Sequence, residues 1–141
     1  MIITHPDDRL RELSKPVEWN KATINLIKKL TAILDSTRTG VGISAIQIGI
    51  PRKVAVIYTT NKERIALLNP TIIEKEGEIL SNEWCLSCPN VFKHIKRATK
   101  INVAYTTKFG NSITRWFGGG DAVVIQHEID HMDGKLIVDY E

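Results

Sequence analysis

Cysteine, proline and aromatic residues are scarce in this chain of 141 residues, which has 2 Cys, 5 Pro and 6% Phe, Trp and Tyr. Cys85 and Cys88 stand three positions apart. A bridge closing so short a loop removes little chain entropy, so a disulfide-stapled fold is excluded. The two read instead as reduced thiols or metal ligands. No stretch approaches the roughly 18 apolar residues a membrane span needs. The start Met1-Ile2-Ile3-Thr4-His5-Pro6 has neither the basic nor the apolar region of an export signal, so a cytosol-like compartment is expected. An excess of one charge is missing too: 19 Lys+Arg face 16 Asp+Glu, a formal net charge of +3. The pI near 8.9 reflects interspersed charges. The tightest basic run, Lys93-His94-Ile95-Lys96-Arg97, is short and broken by apolar residues, so no dedicated nucleic-acid surface is expected.

What is present is enough for a core. Hydrophobic residues make up 43% of the chain, and a chain of this size can bury about two thirds of its unfolded surface. No repeat, low-complexity tract or linker interrupts it, so residues 1–141 read as a single domain. Between Trp19 and Ser36, Leu26, Ile27, Leu30, Ile33 and Leu34 fall on one stripe of an amphipathic helix. The β-branched run Lys53–Tyr58 predicts a strand, as do Arg64–Asn69, Thr71–Glu76 and Asn90–Lys93. Ile101, Val103 and Tyr105 alternate with polar neighbours, turn at Phe109-Gly110-Asn111 and return through Ile113 and Trp116 as a hairpin. After Gly118-Gly119-Gly120, Asp121 reads as the N-cap of a helix over Ala122–Asp133, closed by Gly134. That helix is apolar on nearly every side and should be buried. The expected class is α+β, with antiparallel strands packed around a buried C-terminal helix and an amphipathic helix near the N-terminus.

The buried helix carries His127-Glu128-Ile129-Asp130-His131. Histidines four apart are separated by about 40° of rotation and 6 Å of rise, so both imidazoles can reach one ion. Without an ion, two histidines and two carboxylates in an apolar element would each need a partner. A carboxylate beside a metal-bound water can take its proton and later return it, a role open to Glu128. Completing the coordination falls to Cys85 and Cys88. Both would close a structural Cys2His2 site; one would leave a position open for catalysis. The 38 residues between Cys88 and His127 far exceed a finger-type spacing, and residues three apart on an extended segment face opposite sides. A tight turn at Leu86-Ser87 would defeat the second point. Gly40-Val41-Gly42-Ile43-Ser44-Ala45-Ile46-Gln47 offers glycines that a substrate backbone can approach and an amide donor in Gln47. Val123 and Val124 precede His127 by four and three residues and would wall an apolar pocket beside the ion.

Taken in order and spacing, Gly-Val-Gly-Ile-Ser-Ala-Ile-Gln, Glu-Trp-Cys-Leu-Ser and Gln-His-Glu-Ile-Asp-His resemble the three motifs of peptide deformylases. The likeness runs from Pro6-Asp7-Asp8-Arg9-Leu10 to Gly134-Lys135-Leu136. It implies removal of the formyl group from the formylmethionine of nascent chains by a metal-dependent hydrolase. One divalent metal per chain, natively Fe(II) with Zn(II) or Ni(II) as alternatives, would be held by Cys85, His127 and His131. A metal-bound water would attack the formyl carbon with Glu128 as general base and acid. Gln47 and the main-chain amide of Leu86 would polarise the formyl oxygen, while Gly42, with Val41 beside it, would meet the peptide backbone. Glu83 and Arg97 match positions that form an ion pair in the family. The implied partners are formylated nascent peptides at the ribosome, met by a monomer in a bacterial-type cytosol, a virus-infected host included, with an organelle as the alternative. Three residues depart from the pattern: Trp84 stands where Gly is usual, Ser44 where Ala is usual and Cys88 where an aliphatic residue is usual. Two other readings remain open at this point: a structural Cys2His2 zinc domain that binds a partner or nucleic acid, and another amidohydrolase or peptidase built on the His-Glu-x-x-His helix.

Overall fold

A computed structural model describes residues 1–141. Asn20 opens α1, Lys21–Ser36, by accepting from the Thr23 main-chain N–H. The helix then buries Thr23, Ile27, Leu30 and Leu34 along one side. Seven strands follow: β1 Gly42–Ser44, β2 Val54–Tyr58, β3 Arg64–Glu76, β4 Ile79–Cys85, β5 Cys88–Arg97, β6 Lys100–Thr106 and β7 Ser112–Gly118. The last long element is α2, Gly119–Met132. All the strand pairs are antiparallel, forming a five-stranded sheet in the order β1-β2-β3-β6-β7 and a separate β4-β5 hairpin.

The five-stranded sheet is covered on both faces. Ile27, Leu30 and Leu34 of α1 share one cluster with Val54, Val56, Ala66 and Leu68. Ile57, Leu67, Ile101, Val103 and Phe117 face the other way, against Ala122 and Ile125 of α2. Burial on both sides explains why β2 is a continuous apolar run rather than an alternating one. The β4-β5 hairpin brings Cys85, Cys88 and Ile95 into a third cluster with Leu10, Leu136 and Ile137. From Asp121 to Met132, α2 has no exposed residue, in line with its lack of a polar face. No helix is long and apolar enough to cross a membrane.

Several boundaries differ from the sequence reading, each for a local reason. Arg64–Asn69 and Thr71–Glu76 are one strand, because the irregularity at Asn69-Pro70 is absorbed as a bulge between Leu68 and Thr71. Asn69 takes φ 51 there, and its side chain holds both the N–H and the C=O of Val17, each at 2.8 Å. The strand expected at Asn90–Lys93 runs from Cys88 to Arg97, and its partner β4 carries no clean alternation to announce it. Asp121 is not the N-cap. Gly118 is, and Gly119 starts the helix at φ 57, a left-handed value that glycine adopts without strain. Asp121 lies in the first turn, where its carboxylate accepts from the Thr60 main-chain N–H at 2.8 Å and faces the positive end of the helix dipole.

The chain end is tied back by Asp139, which accepts from Arg11 Nη2 at 2.9 Å and from the Leu136 main-chain N–H at 2.9 Å. The Arg11 guanidinium holds the Asp139 carboxyl below its ordinary value. Stability from this charge is therefore full above the unfolded carboxylate pKa of 3.8 and lost as pH falls through the lower folded value. Asp139→Asn should cost less than about 1 kcal/mol at pH 7, since the pair is a third exposed. In urea melts the gap to wild type should close as pH is lowered below about 4; a gap independent of pH would deny the charge any role.

Candidate functional site

A cleft of about 130 Å³ opens between the outer edge of β1 and β4, with α2 as its floor. Val41 and Gly42 line one side, Trp84, Cys85 and Leu86 the other, and Val123, Val124, His127 and Glu128 the base. Spacing puts these α2 residues on neighbouring turns of one face, and His131 lies one turn deeper, 1% exposed. The two imidazole rings stand 5.0 Å apart. Cys85 reaches them because Leu86-Ser87 turns the chain back, pairing Cys85 with Cys88 across the hairpin. That tight turn removes the argument that the two cysteines must face opposite ways. Even so, the donor atoms that gather within 4.8 Å of one another belong to Cys85, His127 and His131, with one cysteine only.

Whether these residues suit a cation is decided by their protons and partners. His127 Nδ1–H donates to Glu83 Oε1 at 2.9 Å, which leaves Nε2 as the free lone pair. Burial is the largest influence on His127 and would lower its pKa, but the hydrogen bond to Glu83 and the charges of Glu128 and Glu83 together raise it; a cation on Nε2 would take the place of that second proton. Burial pushes His131 well below its ordinary value and keeps it neutral, while its Nδ1 is buried without a hydrogen-bond partner. Its Nε2 is 3.3 Å from Cys85 Sγ. The Cys85 thiol is raised by its contact with Cys88, by burial and by the Glu128 charge. A dication reverses that balance and favours the thiolate. The Ser87 main-chain N–H at 3.4 Å and Gln47 Nε2 at 3.8 Å also point at the sulfur. Two imidazoles and one thiolate form a set that fits zinc, ferrous iron or nickel and leaves room for a further ligand.

Glu83 is not a bystander. Its two oxygens take Arg97 Nε and Nη2, each at 2.7 Å, in a bidentate pair that is 4% and 6% exposed. Arg97 Nη1 goes on to Asp130 Oδ2 at 2.7 Å, and the Tyr140 hydroxyl donates to the same oxygen at 2.6 Å. Burial alone would raise the Glu83 carboxyl, but Arg97 and His127 hold it at about 2. The ion pair that the resemblance implies therefore also orients a donor imidazole. Tyr140 had no motif to mark it, and Asp130, though inside the helix motif, had no partner that the sequence could name, because the network is made only by the folded chain.

Glu128 is 3% exposed and its carboxyl is raised by burial, its largest influence. Ser44 Oγ lies 2.9 Å from Glu128 Oε1. A Cβ on Gly42 would stand 2.6 Å from Glu128 Oε2, so only glycine lets β1 pass so close over the carboxylate. Gln47 is 1% exposed and does not line the cleft. It sits behind Cys85, with Oε1 accepting from the Ser44 main-chain N–H at 2.9 Å and Nε2 donating to Ser87 Oγ at 3.0 Å.

A soft three-donor set on one helix and one hairpin, with a buried carboxylate beside it and an apolar cleft above, is the arrangement of a mononuclear metallohydrolase. Residues 1–140 match the polypeptide deformylase family, and the chain belongs to it. It is similar to a peptide deformylase of Nitrosococcus oceani, 36% identical over 144 residues that span 99% of this chain and 84% of that protein. The crystal structure of a peptide deformylase from Legionella pneumophila superposes with a TM-score of 0.92 at 38% identity, covering 100% of this chain and 85% of that one. A class I type b peptide deformylase from Acinetobacter baumannii, solved with Met-Ala-Ser bound, gives a TM-score of 0.92 at 27% identity, covering 100% and 97%. Members of the family are metal-dependent hydrolases of protein biosynthesis.

The Glu83 network carries its own prediction. Glu83→Gln should lower metal affinity by about 10- to 100-fold in chelator competition, because His127 loses the carboxylate that orients it. Arg97→Met leaves Glu83 and Asp130 without their buried partner and should cost about 3–5 kcal/mol in denaturant melts. Unchanged metal affinity in Glu83→Gln would mean that the carboxylate does not orient the ring.

Proposed function

We propose that this chain removes the formyl group from the N-terminal formylmethionine of nascent polypeptides, residues 1–141 acting as one catalytic unit. The observation that carries the reading is the gathering of Cys85, His127 and His131 donor atoms within 4.8 Å beside Glu128, under a cleft that one extended peptide end can enter. One divalent cation, ferrous iron by our assignment with zinc or nickel able to replace it, would be held by these three residues. When bound, it supplies a Lewis acid and lowers the pKa of water at the site.

The remaining work belongs to the side chains. Glu128 takes a proton from the attacking water as the C–O bond forms and passes it to the departing amine as the C–N bond breaks, so water and the formyl amide become formate and a free amino terminus. A carboxyl raised by burial is suited to holding that proton between the two steps. The Leu86 main-chain N–H and Gln47 Nε2 donate to the formyl oxygen as it gains charge. For Gln47 this exchanges its weakest contact, the 3.8 Å approach to Cys85 Sγ, and keeps the bond to Ser87. Val123, Val124 and Leu86 receive the methionine side chain, whose unbranched stem bends to fill an apolar slot. The main chain of Gly42, in the edge strand β1, meets the peptide backbone, with Val41 beside it, its own C=O taken by the Tyr58 N–H at 2.8 Å. The Met-Ala-Ser bound to the Acinetobacter baumannii protein is a peptide of the kind this reaction would release. The setting we assign is a monomer acting at the ribosome in a bacterial-type cytosol.

Protein loaded anaerobically with Fe(II), Ni(II) or Zn(II) should release free amine from formyl-Met-Ala-Ser, and should leave acetylated and internal peptides intact. Cleavage of those other peptides would instead favour a peptidase. Glu128→Gln should lose about 10²- to 10⁴-fold in turnover with metal still bound; retained turnover would remove Glu128 as the base. Because the hairpin sets Cys88 beside Cys85, Cys88→Ser separates the open site from a closed structural zinc site. Near-normal metal content and turnover support the open site, and loss of metal would support the closed one.

A further inference from the structure

We infer that the Ser44 hydroxyl is a positioning group for Glu128: it pins one carboxylate oxygen so that the other is the one offered to the cleft. The inference deepens the deformylase reading and rests on it. Ser44 ends β1 and is fully buried, and its Oγ lies 2.9 Å from Glu128 Oε1 and 3.0 Å from the Glu128 main-chain oxygen. No other side chain bonds Oε1 or Oε2. Oε2 lies under the bare α-carbon of Gly42, on the side where the cleft opens.

The terminal torsion of a glutamate is broad and roughly two-fold, so the helix backbone alone does not choose between its oxygens. A hydroxyl fixed to the neighbouring strand does. The same proton also lies within reach of the main-chain oxygen of Glu128, so the strand-to-helix tie and the carboxylate are held at one point. A base that must accept and return one proton gains from being held at the angle of transfer, since orientation is then settled before the reaction begins. Ser44 also holds Gln47, but through its main chain: the Ser44 N–H donates to Gln47 Oε1 at 2.9 Å. Removing the hydroxyl therefore leaves the Gln47 contact in place and isolates the effect on Glu128.

The test compares wild type, Ser44→Ala, Ser44→Thr and Glu128→Gln, loaded with the same metal, by steady-state kinetics on formyl-Met-Ala-Ser, thermal melting and metal content. Ser44→Ala should lower kcat about tenfold or more, the scale of a hydrogen bond to a charged group. It should leave KM within about twofold and metal content unchanged. Ser44→Thr, which restores a hydroxyl, should regain most of kcat. Should the added methyl prevent folding or metal uptake, the kcat and KM of Ser44→Ala decide alone. The inference is overturned if metal-loaded Ser44→Ala keeps wild-type kcat, if its loss lies in KM, or if well-folded Ser44→Thr is no better than Ser44→Ala. A wild type without deformylase turnover would overturn the reading beneath it, and Glu128→Gln then adds nothing; turnover abolished by Glu128→Gln but untouched by Ser44→Ala strikes the inference alone.

Discussion

The buried pair of Glu83 and Arg97 is the interaction on which the site depends. The donors come from two pieces of chain with no hydrogen-bonded ladder between them: Cys85 from the β4-β5 hairpin, His127 and His131 from α2. Arg97 spans them, gripping Glu83 within the hairpin and Asp130 on the helix. Each charge costs several kcal/mol to bring out of water, so such a cluster is tolerated only when nearly every donor and acceptor is matched. Here Arg97 reaches three partners, Glu83 also receives His127, and Asp130 also receives the Tyr140 hydroxyl. The strict geometry of that match sets where His127 can be.

The packing around the pair explains why the site is both rigid and open. The sheet is sandwiched between α1 and α2 by two apolar clusters, which leaves β1 as an edge strand of only three residues. A short edge beside a glycine comes close to Glu128 without meeting a side chain, and it leaves main-chain groups free to face a peptide. Inside the cleft the polar groups are few and fixed, while Val123, Val124 and Leu86 supply apolar surface. That division suits recognition of one apolar side chain and chemistry on one polar bond.

The turn at Leu86-Ser87 that lets Cys85 join the histidines was left open in the sequence, but that His127 and His131 share one face was legible, because helical spacing is local. Strand β2 was legible for the same reason. What escaped depended on contacts far apart in the chain. Within the Arg97 network the Glu83–Arg97 pair was expected only through the family resemblance, and no spacing links that pair to His127, Asp130 or Tyr140. Ser44 stood out only as an unusual residue; its bond to Glu128 crosses 84 positions. Strand β4 escaped because Ile79-Leu80-Ser81-Asn82-Glu83-Trp84-Cys85 hides its buried side behind a glutamate that is buried as an ion rather than as an apolar group. At Gly118-Gly119-Gly120 the sequence suggests a break, whereas the helix begins inside the run because glycine tolerates the left-handed entry.

Hairpin and helix together are proposed to hold a single cation by one sulfur and two imidazole nitrogens. X-ray absorption at the metal edge of the anaerobically loaded protein measures that shell directly. One sulfur at about 2.3 Å and two imidazole nitrogens at about 2.0–2.1 Å are expected for zinc, with a lighter ligand completing the site. A shell with two sulfurs, which would bring Cys88 into coordination, or with none, would rule out that arrangement.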